Sequence, residues 1–577
     1  MKVRLAKTAG FCMGVRRAME MAIKEANRNK GRIFTYGPLI HNRQVLELLE
    51  QKNVKEVDNI EGLEDGTLLI RAHGIPPQTR RILKSSKLKI IDATCPRVAR
   101  VQAIIRYHTN KGYRAVIVGD ENHAEVIGLV GYGNGLAVVV SNEGDVDKIP
   151  GSDRLIVVAQ TTQNEKKYRS IVREIKVRFP DALVFDTICD ATSNRQAEVR
   201  SLAGQVDGMV VVGGYHSGNT CRLATISESE GVPTFHVETE MDLDREKLSS
   251  MEKIGVTAGA STPNWMIKNV VSELESIRSK KETYIGRNMR KMVKFLLLSN
   301  FLVALGAFSL SHAATVLSAR NYNLAYPLLA FFYVYAMRVM NRFLDKGAST
   351  YNDPERAFFY GKYRLFLMVT SIIAVAFSLY IALRLGFMIF IGIAGLCILG
   401  ITYSIPIFPV RHRHLWRYSK IKDIPGSKTL SEALGWSAVI TLIPLLEAPR
   451  PDFLTAVVVF YIVLSMAYVR SAFFDILQVQ GDLIVGEETL PIILGEEKTG
   501  SFLKGIIFSS IILLIVMPLI GVTGPFSFLM LLCFLSLFLS LHAYERRSIH
   551  PGPQVEYLME GNFLLAGLLG LLWQMFS

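Results

Sequence analysis

Two kinds of hydrophobic pattern divide this chain. Up to about residue 280, short aliphatic and β-branched runs (VRLAK, TLLIRA, LKIIDA, RAVIVGD, LIVVAQ, ALVFD, GMVVVGG and KIGVTAGA) alternate with stretches of helical spacing. Such runs predict strands, and their alternation with helices predicts an α/β domain. Several runs end in Gly, Thr, Ser or His just before a helix, the place where α/β folds take their ligands. Beyond Lys280 the basic stretch RSKKETYIGRNMRKMVK leads into apolar spans near 295–319, 322–340, 365–384, 386–408, 430–447, 453–474, 504–521, 526–543 and 559–576. Runs of about bilayer length predict an all-α, nine-helix transmembrane domain. The expected division is 1–282 and 283–577.

Composition agrees with the split. Half of the 577 residues are hydrophobic and mean hydropathy is +0.27, yet charges in the first half have ordinary globular density, so the apolar excess lies in the second. The net charge of +14 comes from basic residues bunched in short loops between apolar spans, which points to a lipid bilayer and away from nucleic acid. With the basic linker inside, the loops at 341–364, 409–429, 475–503 and 544–558 fall on the cytoplasmic side of the inner membrane, and the N-terminal domain lies in the cytoplasm. Cys12, Cys95, Cys189, Cys221, Cys397 and Cys533 are too scattered for a disulfide scaffold, and no signal peptide precedes Cys12, so a reducing compartment is expected.

Cys12, Cys95 and Cys189 each follow a predicted strand, at intervals of roughly ninety residues, about the size of a small α/β unit. The spacing predicts three similar lobes meeting at one centre, although isolated cysteines are also common core residues. Three thiolates from separate lobes suit an iron-sulfur cubane with one iron left open to substrate; zinc would prefer a local CxxC pair, which this chain lacks. Cys221 falls outside the three-lobe pattern and is not expected as a fourth ligand. His41, His73, His123, Thr161, Asn194, Ser217, Asn219 and Ser261 sit at strand ends, where singly each is an ordinary cap or core residue and together they make a diphosphate cradle.

The motifs GFCMGV, HNR, AHG, DATCP, HAEV, QTT, ICDATSNRQ and TAGAS resemble, in order and spacing, the LytB/IspH family across residues 1–280. That resemblance implies a 4Fe-4S cluster on Cys12, Cys95 and Cys189 and reduction of 4-hydroxy-3-methylbut-2-enyl diphosphate to isopentenyl and dimethylallyl diphosphate. It implies substrate contacts from His41, His73, His123, Thr161, Ser217, Asn219 and Ser261. Where the family usually has a second serine, this chain has Gly218, whose backbone amide or a water would replace one hydrogen bond. Glu125 is the carboxylate within this set and the expected proton source, with a structural ion pair as its plainer role. No dinucleotide or flavin fingerprint follows a strand, so a separate ferredoxin- or flavodoxin-like electron donor is expected.

In the second half, NRFLDKGASTYNDPER, KIKDIPGSK and FFDILQVQGDLIVGEETLPIILG resemble the UbiA family of membrane prenyltransferases. Carried over by position, Asp345, Asp475 and Asp482 would serve Mg²⁺, and Asn341, Lys422 and Lys428 the prenyl diphosphate. Ser349 and Gln478 stand where the family usually has aspartates, which leaves two readings open, an active transferase or a membrane anchor. Asp353 is a candidate replacement ligand, although Asn352 and Pro354 beside it equally suggest a turn. A rival reading of the whole chain makes prenyl transfer the principal activity and the first half a redox sensor.

Overall fold

The computed structural model describes residues 1–28, 31–152, 154–277, 284–344, 351–403, 421, 424, 426–446, 452–546, 549 and 553–576. The chain forms two compact units, Met1–Glu282 and Thr283–Ser577.

The first unit contains three four-stranded, all-parallel sheets. The second sheet runs Val54–Val57, Ile33–Tyr36, Thr67–Ile70, Lys89–Asp92, and the third runs Ala137–Val140, Arg114–Val118, Leu155–Ala159, Leu183–Val184. Both therefore have the order second, first, third, fourth along the chain. The first sheet has the same order with one exchange: Thr234–Val237, Gly208–Val212 and Lys253–Ala258 come from the end of the unit, and its fourth strand is the N-terminal Lys2–Leu5. The last lobe is closed by the beginning of the chain.

Strands covered on both faces read as unbroken apolar runs. Leu155–Ala159 and Gly208–Val212 are buried at every position, as are Ile254–Ala258. The eight predicted runs all contain strands. Ile33–Tyr36, Val54–Val57, Ala137–Val140 and Thr234–Val237 are additional.

The second unit is helical. Among its described residues, five helices are long and apolar enough to cross a membrane: Arg364–Leu385, Phe453–Val485, Glu496–Leu519, Phe526–Glu545 and Val555–Phe576. A sixth span forms if Asn288–Leu298 and Phe301–Leu317, bent by 72°, count together. That is fewer, among the described residues, than the nine expected. Phe387–Thr402 is apolar but only 16 residues long, and Ala325–Leu344 carries Arg338 and Arg342. The segment near 430–447 is broken into Ser427–Ser437, a π turn at Ala438–Leu442 and a short end at Ile443–Leu445. Leu365, Phe366, Ile372, Phe508 and Leu519 are exposed on these helices, as lipid-facing residues are, while charged side chains such as Arg470 and Asp482 are buried inside.

Candidate active site

The shared strand order decides where the chemistry collects in the first unit. Each fourth strand leads to a cysteine at a helix start: Cys95 caps Pro96–Thr109, Cys189 caps Asp190–Ala203, and Cys12 directly precedes Met13–Arg28. Helix N-termini favour the thiolate through their unpaired N–H groups. Burial pushes the Cys95 thiol up, the N–H groups of Arg97 and Val98 pull it down, and nearby Cys12 and Cys189 push it up again. Cys12 and Cys189 therefore both lie near the Cys95 sulfur. Gly14 makes this approach possible, since a Cβ there would lie 2.5 Å from Cys95 Sγ. Cys221 instead donates to the Tyr215 carbonyl at 3.0 Å.

First and third strands supply the polar groups. His41, His123 and Ser217 follow the first strands of their lobes; His73, Thr161 and Ser261 follow the third. The His41 and His73 rings are 4.6 Å apart between centroids, and His123 lies 5.6 and 5.4 Å from them. One nitrogen from each falls within 4.8 Å of the others. Ser261 Oγ donates to the His41 carbonyl at 3.0 Å and lies 3.3 Å from Ser217 Oγ. Asn219 is buried in the first turn of the helix that Ser217 caps. Asn194 lies in the helix that Cys189 caps.

Burial lowers the basicity of all three imidazoles, His123 to about 4 and His73 well below the ordinary value; His41 adds repulsion on the other two, and the charge of Arg71 acts on all three. His123 Nδ1 accepts the Glu125 N–H at 3.1 Å, which leaves its proton on Nε2. Buried His41 Nε2, His73 Nδ1 and Asn219 Nδ2 have no hydrogen-bond partner among the described residues. Native proteins rarely leave such atoms unmatched, so these are places for a ligand's acceptors.

Glu125 is 1% exposed and accepts from Thr161 N at 2.7 Å and Thr161 Oγ1 at 2.9 Å. Burial raises its proton affinity and the Thr161 bonds reduce the rise. Thr161 thus spends both donors on Glu125, a positioning contact that its motif did not reveal. Arg222, singled out by no motif, donates to Thr162 Oγ1 at 3.2 Å and pairs with Asp120. Its signal was available: it lies one helical turn after Gly218.

In the second unit, Asp475 and Asp482 lie seven residues apart on Phe453–Val485, hence on one face of that helix. Thr429 Oγ1 donates to Asp475, Asn352 Nδ2 donates to Asp482 Oδ1 at 2.6 Å, and Lys428 pairs with Glu487 at 2.9 Å. Asp482 is fully buried, and its Oδ2 has no hydrogen-bond partner among the described residues. Asn352, Thr429 and Glu487 were not expected there. Asp353 caps Pro354–Lys362 and pairs with Arg356 at 3.3 Å and Arg342 at 3.9 Å, which agrees with the turn as one of its two expected roles. Asn341 is half-buried on Ala325–Leu344, while Asp345 and Lys422 lie outside the described residues.

Residues 3–275 match the model of the family described as LytB protein. A curated 4-hydroxy-3-methylbut-2-enyl diphosphate reductase from Opitutus terrae is 40% identical over 289 residues, covering 48% of this chain and 100% of that protein. The solved E-1-hydroxy-2-methyl-but-2-enyl-4-diphosphate reductase of Plasmodium falciparum aligns at TM-score 0.47 and 30% identity, over 51% of this chain and 98% of its own. A UbiA homolog from Archaeoglobus fulgidus, solved with GPP and Mg²⁺, aligns at TM-score 0.35 and 17% identity, over 48% of this chain and 98% of its own.

Proposed function

The chain belongs to the LytB family through its N-terminal unit, and from that membership we propose that this unit reduces 4-hydroxy-3-methylbut-2-enyl diphosphate to isopentenyl and dimethylallyl diphosphate. The observation that carries the reading is the set of three buried nitrogens without a hydrogen-bond partner among the described residues, His41 Nε2, His73 Nδ1 and Asn219 Nδ2, beside a buried carboxyl. Phosphate oxygens are acceptors of the kind those atoms lack.

Cys12, Cys95 and Cys189 would hold the 4Fe-4S cluster, a donor set that fits because three thiols, with Cys12 and Cys189 both near Cys95, stand at three helix starts. The chemistry such a group supplies when bound is electron transfer together with an iron that no protein ligand occupies. His41, His73, His123 and Asn219 bind and orient the diphosphate, and Ser217 and Ser261 tie the His41 segment to the first lobe. Glu125 holds a proton at its carboxyl, kept there by burial, and gives it up as the C–O bond breaks. Two electrons and two protons enter and water leaves; a separate ferredoxin- or flavodoxin-like protein provides the electrons.

For the second unit the reading is a UbiA-like site for a prenyl diphosphate and Mg²⁺ in the bilayer of the inner membrane, open to the cytoplasm; the first unit is read as a cytoplasmic domain. Its support is Asp482 Oδ2, buried near Asp475 and without a hydrogen-bond partner among the described residues, since an unmatched carboxyl oxygen in an apolar interior is costly. Lys428 and Asn341 are its candidate phosphate contacts.

The test is anaerobic purification of the full chain with iron and sulfide analysis, then turnover with a chemical reductant. Iron-bearing protein that forms both five-carbon products is expected. Colourless, iron-free protein would overturn the reading.

A further inference from the structure

A diphosphate carries more than one negative charge, whereas burial and the charge of nearby Arg71 disfavour protonation of the three imidazoles facing it in the free protein. Neutral donors alone recognise phosphate less strongly than a charge-assisted pair does. A guanidinium beside His123 would supply such a pair.

Arg222 meets that need. It projects from Gly218–Ser229, the helix that Ser217 caps. An ideal Cβ on Gly218 would lie 3.2 Å from Arg222 Nη1 and 3.8 Å from His123 Nε2, so one small space touches both the guanidinium and the cradle imidazole. The absent side chain keeps that space open. At rest the arginine is only 14% exposed and is held across lobes by Asp120, itself 49% exposed, and by Thr162 Oγ1 at 3.2 Å. A half-exposed carboxylate is a partner a bound anion can outcompete. A second arginine, Arg71, also borders the cradle: its charge disfavours protonation of His41, His73 and His123, and its Nε donates to the Gly74 carbonyl at 3.5 Å.

We propose that Arg222 is a diphosphate-binding residue of this site, admitted to the phosphates by the bare Gly218 and released to them by Asp120. The inference rests on the diphosphate reading above and deepens it. It assigns to a side chain the place that sequence comparison left to a backbone amide or a water.

The experiment uses the full chain loaded with its cluster, inorganic diphosphate as probe for binding, and steady-state reduction for KM and kcat. Arg222→Gln should raise the Kd for inorganic diphosphate and the KM roughly 10- to 100-fold, with kcat within about threefold, and Arg222→Lys should recover most of the loss. Gly218→Ser should weaken binding in the native background, by displacing the guanidinium, yet cause no further loss in Arg222→Gln, where its hydroxyl has room. Unchanged Kd and KM in Arg222→Gln, or penalties of Gly218→Ser and Arg222→Gln that simply multiply, would overturn the proposal. Should Arg222→Gln not retain iron, Gly218→Ser decides alone: weaker binding supports the assignment, unchanged binding removes it. Failure of the native protein to bind inorganic diphosphate at all would instead remove the cradle reading itself.

Discussion

Thr161 grips Glu125 twice, by its backbone N–H at 2.7 Å and its hydroxyl at 2.9 Å, and so fixes the one buried carboxyl beside the histidine cradle. The pair joins the helix of a first strand to the end of a third strand within one lobe. It also opposes two forces on the same proton: burial favours keeping it, and the two hydrogen bonds favour losing it.

Replacing Glu125 by Gln keeps the shape and removes the titration. Turnover should fall by about 10²- to 10⁴-fold, the range of a lost general acid, while iron content and inorganic diphosphate binding persist. Because the protonated form donates, activity should decline as pH rises through the elevated pKa. Thr161→Val removes the hydroxyl bond, one of the forces lowering that pKa, and should shift the decline to higher pH. A pH–rate profile unmoved by Thr161→Val would separate Glu125 from the proton step.

The cradle makes stability pH-dependent in the opposite sense. His123 titrates near 4 and His73 also far below its usual 6.5, so between those values an unfolded chain binds protons that the folded one refuses. Their stabilising effect is complete above about 6.5 and is lost as pH falls toward 4. The Tm of the first unit's transition should drop on acidification from pH 7 to 5. The drop should shrink in His73→Asn with His123→Asn, and with inorganic diphosphate, which favours charged rings.

Cluster retention separates ligands from neighbours. Cys12→Ser, Cys95→Ser and Cys189→Ser should each lower iron and sulfide content, whereas Cys221→Ser, whose sulfur donates to the Tyr215 carbonyl, should leave both unchanged. Gly14→Ala is the sharper case. It retains every thiol, yet its Cβ would come within 2.5 Å of Cys95 Sγ, so iron content should fall with no ligand removed.

In the second unit, Asp482→Asn takes away the unpartnered carboxylate oxygen, and Mg²⁺-dependent prenyl transfer should be lost, while the N-terminal reduction is unaffected. Gly481→Ala brings a Cβ to 1.9 Å from Asn352 Oδ1 and should cost about 1–3 kcal/mol of stability through overpacking. Asp353→Asn, at a helix cap paired with two arginines, should alter stability and not metal dependence.

The sequence by itself determined what depends on local pattern and on residue type. Buried parallel strands announce themselves as unbroken apolar runs, and the motifs around Cys12, Cys95, Cys189, His41, His73, His123 and Glu125 were legible because each is a short strand-end signature. Four strands escaped this reading. VKEV and TFHV interleave polar residues, IFTY is short, and AVVV is a bare apolar run that periodicity cannot assign. Long-range closure could not be read at all. Only the tertiary structure decided that Lys2–Leu5 completes a sheet with strands more than 200 residues away, which is why Cys12 joins cysteines from two other lobes. Side-chain partners are set the same way, by packing between distant segments: Thr161 on Glu125, Asn352 on Asp482, and Arg222 against a glycine whose importance lies in what is missing from it. Hydropathy likewise marked where apolar helices run, but span length also depends on where the backbone bends and where charges turn inward, and those are properties of the packed bundle.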